Sequence, residues 1–98
     1  MNANAARGEV DYLGLKLRPS FTALVNAEGE IGPLFLMVER AAAGTLSLTD
    51  MVALFWHCID ERPETLTRAD FAESVAAGGL VNATPALKVL LGQILKGL

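Results

Sequence analysis

The spacing of hydrophobic positions changes early in the chain. Over residues 9–18, Val10, Tyr12, Leu13, Leu15 and Leu17 alternate with Asp11, Lys16 and Arg18 around Gly14. A period of two about a glycine predicts a short β-hairpin with one apolar face. A lone hairpin is marginal in water, so it must lie on something. Beyond Pro19 the spacing becomes helical. Ser20 is placed to cap a helix over residues 21–28 whose apolar side is Phe21, Leu24, Val25 and Ala27. Gly29 and Gly32 bracket a break, and Pro33 suits the first turn of a helix over 33–43 bearing Leu34, Met37, Val38 and Ala41. Gly44 closes it.

Two further starts share one pattern. Ser47 with Asp50, and Thr67 with Asp70, each set a hydroxyl three residues before a carboxylate. The hydroxyl accepts a free backbone N–H, and the carboxylate suits the positive helix end. They predict helices over 48–61 and 68–77, separated by Pro63. Gly78 and Gly79 end the second. Thr84 and Pro85 start a last helix to about residue 96, striped by Leu87, Leu90, Leu91, Ile94, Leu95 and Leu98. The fold class is therefore α+β, mainly α: an N-terminal β-hairpin packed on a bundle of about five short helices. At 98 residues it is expected to be a single domain, with the small polar residues 1–6 frayed.

The helix over 48–61 carries two stripes: Met51, Leu54, Phe55, Cys58 and Ile59, and, shifted from it, Val52, Phe55, Trp56 and Ile59. Together they cover more of the circumference than one packing layer requires. Either this helix is central and surrounded by the others, or part of it meets a partner. The run Leu34, Phe35, Leu36, Met37, Val38 poses the same choice. Composition bears on it: hydrophobic residues are 52% and mean hydropathy is +0.39, an excess that a small core does not absorb. Val52, Trp56, Leu34, Phe35 and Met37 are accordingly the candidate surface for a partner or a second copy, and a homo-oligomer is expected.

Charge and cysteine usage exclude several classes. Net charge is −3, without the concentrated basic surface that nucleic acid requires. The apolar stretch 51–59 is far shorter than the roughly 20 residues of a membrane span. Residues 1–8 lack the apolar segment of a secretory signal, and the one cysteine, Cys58, allows no internal disulfide. A cytoplasmic protein is expected.

Reactive residue types cluster once, at Trp56, His57 and Cys58. A zinc site needs about four ligands, and two neighbours on a helix point apart. Cysteine catalysis needs a base facing the thiol, which an adjacent helical residue does not do. Cys58 reads as a buried small apolar residue on the first stripe, and His57 as a surface residue near Asp50, Asp60 and Glu61. The carboxylates Asp60, Glu61 and Glu64, and the pair Glu28 and Glu30, read as solvated edges. Gly29 to Gly32 and Gly78 with Gly79 lack the Lys and Ser/Thr of a phosphate loop. Asn82 and Thr84 fit a glycosylation pattern that helix capping explains better. No catalytic residue, metal or cofactor is expected.

The order of segments resembles the gene transfer agent tail protein family. Arg7, Gly8, Glu9 and Val10 lead into a hairpin ending Leu15, Lys16, Leu17, Arg18, followed by the Phe21, Thr22, Ala23, Leu24 helix. A junction running from Ala41 through Gly44 to Asp50 enters the apolar helix, and Gly78 with Gly79 precedes the last one. The resemblance implies a tail assembly chaperone or a tail tube component with no catalytic residues. Such chaperones coat apolar surface of a client such as the tape measure protein. The leading expectation is a non-enzymatic tail assembly chaperone. The rivals are a structural tail tube component and a helix-turn-helix regulator built around Pro63. Against the regulator, Arg68 is offset by Asp70 and Glu73.

Overall fold

The computed structural model describes residues 9–97, so the expected frayed start and the stripe residue Leu98 lie outside it. Strands β1 (Val10–Tyr12) and β2 (Leu15–Leu17) form the expected hairpin, with Val10 opposite Leu17 and Tyr12 opposite Leu15. Leu13 and Gly14, at φ 52° and 75°, make the two-residue turn, whose two positive φ values match the twist of paired strands. Leu13 occupies a conformation that costs a branched side chain energy, and its Cδ2 lies close to Gly78.

Five helices follow: α1 (Phe21–Ile31), α2 (Leu34–Ala43), α3 (Leu48–Cys58), α4 (Arg68–Gly78) and α5 (Leu80–Lys96). Three begin on the hydroxyl caps read from the sequence. The Ala23, Asp50 and Asp70 N–H groups donate to Ser20 Oγ, Ser47 Oγ and Thr67 Oγ1, each at 3.1 Å. α2 has no cap of its own in sequence, and Glu28 supplies one: its Oε2 accepts from Leu34 N–H at 3.0 Å. Gly44, in the left-handed conformation at φ 75°, ends α2.

Three boundaries differ from expectation. α1 runs through Gly29, which takes helical geometry, and ends only at Gly32, where φ is 107°. α3 stops at Cys58 because the next two residues pair elsewhere. Ile59–Asp60 form β3, antiparallel to β2, with Leu17 opposite Ile59 and Lys16 opposite Asp60. Arg18 N–H donates to Cys58 O at 2.7 Å and locks the junction. The hairpin is thus two strands of a three-stranded sheet in the order β1-β2-β3.

The third difference is at α5, which starts four residues before Thr84, directly after the bend at Gly79. Pro85 therefore sits inside the helix. The carbonyl it leaves without a helical donor belongs to Val81, which is 86% exposed, so water can satisfy it. Asn82 and Thr84 do not cap by accepting N–H groups. Asn82 Nδ2 donates to Gly78 O at 2.6 Å and Thr84 Oγ1 to Leu80 O at 2.7 Å, both back along the chain.

α3 is the central helix. Met51, Val52, Ala53, Leu54 and Phe55 are all buried in succession, as is Cys58. α1 and α4 pack on it, α5 packs on α4 and β1, and the sheet closes one side through Leu17 and Ile59. Tyr12 stacks on Phe55 at 5.0 Å between ring centroids, joining sheet to helix. α2 stands apart. It is attached chiefly to α1 and buries only Met37, although eight of its ten residues are apolar. Among the described residues no single helix is long and apolar enough to cross a membrane.

Candidate functional site: an open apolar groove

The reactive residue types are committed to structure. Cys58 is 1% exposed, and burial pushes its thiol up to about 12, so it stays a neutral core residue. His57 lies on the other side of α3 but is not a free surface residue. Its Nε2–H donates to Glu30 Oε1 at 2.8 Å, and the same oxygen accepts from Arg68 Nη1 at 2.8 Å. Arg68 Nη2 donates to Glu30 Oε2, completing a forked pair. These hydrogen bonds, Arg68 first and His57 second, hold the Glu30 carboxyl down to about 2. The cluster joins the end of α1, the end of α3 and the start of α4. Arg68, the basic residue nearest a recognition helix, is therefore occupied by Glu30. No group of three or more His, Cys, Asp or Glu among the described residues could hold a metal ion.

An open groove runs between α2 and α5. Three contiguous hollows of about 220, 500 and 240 Å³ lie along it. The first is walled by Leu24, Leu34, Phe35, Ile94 and Leu95, and the second, widest, by Val38, Ala41, Ala42, Leu91 and Gly92. The third runs between Leu46, Leu48 and Met51 on one side and Leu80 and Leu87 on the other. Val38 and Leu95 belong to the first and second hollows, Ala41 and Leu87 to the second and third, which makes the groove continuous. The two charged side chains lining it are Glu28, which caps α2, and Lys88. Phe35 stands on its lip, 79% exposed.

The five candidate surface residues separate by burial and not by element. Val52 and Met37 are buried in the core, Val52 on the central helix α3 and Met37 as the one fully buried side chain of α2. Trp56 is half-buried between two neighbours. Its ring lies 6.0 Å from Phe71, and the Arg62 guanidinium covers it at 4.0 Å while donating to Trp56 O at 2.9 Å. Leu34 and Phe35 line the groove. The α5 wall was not singled out from the sequence, where its leucines read as one continuous apolar stripe. In the structure Leu87, Leu91 and Ile94 are only partly buried, because α2 does not close over them. The signal available was the excess of apolar residues over what one small core holds.

Comparison with known proteins points the same way as the order of segments. A family model described as "Phage tail tube protein, GTA-gp10" matches residues 6–97, nearly the whole chain. No curated protein and no solved structure matches. The chain belongs to the phage tail tube protein, GTA-gp10 family, and with it to the structural and assembly proteins of phage-type tails.

Proposed function

We propose that this protein is a non-enzymatic tail assembly chaperone. It acts in the cytoplasm, covering apolar surface of a tail component such as the tape measure protein until the tube forms around it. The α2–α5 groove carries the reading: a continuous apolar channel, open to solvent, beside a helix that buries one residue of ten. Apolar surface left in water costs about 25 cal/mol per Å², so covering the groove is favourable. Groove and lip offer the same surface to another copy of the chain, so self-association is the expected resting state when no client is present.

Co-expression with the tape measure gene tests the proposal. The tape measure protein is expected to remain soluble with the wild-type chain, and to aggregate with Phe35→Glu or without the chain. Loss of solubility in all three cases counts against it. A structural tail tube component is the second reading, favoured by the description of the family. Mass spectrometry of finished particles separates the two. A chaperone is absent from them, whereas a tube component is present in many copies per tail.

A further inference from the structure

We propose that the α2–α5 groove takes one amphipathic helix of a partner tail protein, with an acidic side chain of that helix meeting Lys88. This inference rests on the assembly reading and supplies the chemistry of its client. Along the first two hollows the walls are helices whose backbone groups bond internally, so this part of the groove offers an incoming chain few main-chain partners. An extended segment would leave its own N–H and C=O groups unpaired against apolar side chains. A helix arrives with those groups satisfied.

The middle of the groove fits a helix in shape. Its walls thin there to Ala41, Ala42 and Gly92, and a Cβ added at Gly92 would meet nothing within 4 Å. Small residues on the walls leave room for large ones on the occupant. The ten residues of α2 rise about 15 Å, so the contact spans roughly three turns and is read by apolar side chains at helical spacing.

Charge selects among such helices. Glu28 is engaged at the N-terminus of α2, whereas Lys88 is exposed beside the widest hollow and has no carboxylate partner among the described residues. The widest hollow is therefore locally positive, with Lys88 its one charged lining residue, although the chain as a whole carries −3. An Asp or Glu flanking the occupant's apolar stripe is attracted there, and a Lys is repelled.

The test uses the full chain and two fluorescein-labelled helical peptides of about fourteen residues, enough for some four turns. They share a leucine stripe and differ by Glu or Lys at one flanking position. At low salt, anisotropy is expected to show the Glu peptide binding about three- to tenfold more tightly. The preference should fade in about 1 M salt, where charges are screened within a few ångströms. Lys88→Glu should invert the order. Gly92→Phe, which fills the open middle, should abolish binding of both peptides with the helical circular dichroism unchanged. Equal affinities at low salt, no binding of either peptide, or an unchanged order in Lys88→Glu overturns the proposal. So does equally tight binding of a proline-broken Glu peptide. If the peptides fail while the tape measure protein is still kept soluble, the groove inference falls and the assembly reading stands. If the order inverts as expected but the chain is found throughout finished tails, the groove inference stands and the assembly reading falls.

Discussion

At the scale of single residues, position on α3 separates two neighbours of similar reactivity. His57 points to the Glu30 carboxylate at the surface, while Cys58, one residue on, turns into the core. Thiol chemistry runs through the thiolate, and burial keeps Cys58 protonated up to about 12. A thiol reagent at pH 8 is therefore expected to label Cys58 only as fast as the protein opens. Rapid stoichiometric labelling of the folded protein would contradict this. The same shift has a consequence for stability. The unfolded thiol releases its proton near about 8.5 and the native one does not, so above that pH the unfolded state binds fewer protons. Stability should fall with rising pH between about 8.5 and 10, below the ordinary range of the other buried acid, Tyr12, which burial also raises. Cys58→Ala should remove that decline in urea titrations.

At the scale of elements, the Glu30, His57 and Arg68 cluster ties three helices that share no sequence neighbourhood. The native Glu30 carboxyl is held to about 2, against roughly 4.3 in the unfolded chain. Its contribution to stability is complete above about pH 4.5 and is lost as the pH falls toward 2. Glu30 is 38% exposed, so water screens the pair and the contribution should be small, about 0.5–1 kcal/mol. Comparing the wild type with Glu30→Gln by urea denaturation should show that gap at pH 5 and almost none at pH 2. A gap that does not change with pH would show that the cluster does not stabilise through the ionised carboxylate. β3 is the other element-scale result. Three residues leave a predicted helix, and two of them, Ile59 and Asp60, pair with the β2 edge instead.

At the scale of the molecule, the core is built around α3 and leaves α2 as an apolar outrigger beside α5. That division makes Trp56 and Phe35 behave oppositely. Trp56→Glu strips a ring from between Phe71 and Arg62, and should cost about 2–4 kcal/mol of stability. Phe35→Glu alters a side chain 79% exposed and should leave the melting transition within about 0.5 kcal/mol of wild type. It should nevertheless move the protein toward monomer in light scattering at high concentration, where the wild type is expected to self-associate. A wild type that stays monomeric would remove the oligomer. Unfolding of Phe35→Glu would show that the lip belongs to the core.

Much of this architecture was legible in the order of residues because its causes are local. Alternation around Gly14 specifies a hairpin, the hydroxyls at Ser20, Ser47 and Thr67 start helices, and glycines at 32, 44 and 79 stop them. The features that were missed depend on groups distant in sequence. Gly29 is helical because its helix lies against α3, and Ile59 is extended because Leu17 waits across the sheet. The candidate site divides along the same line. An apolar excess is a property of composition, and a small core leaves part of it as surface. Which residues make that surface depends on what each helix packs against. Met37, Val52 and Trp56 were drawn inward by neighbours from other segments, while Leu34, Phe35 and, on α5, Leu87, Leu91, Ile94 and Leu95 were left facing an open groove. Sequence by itself determined most of the elements and the excess of apolar residues over one small core. Only the tertiary structure decided where that excess is exposed, because burial belongs to contacts between segments and not to any one of them.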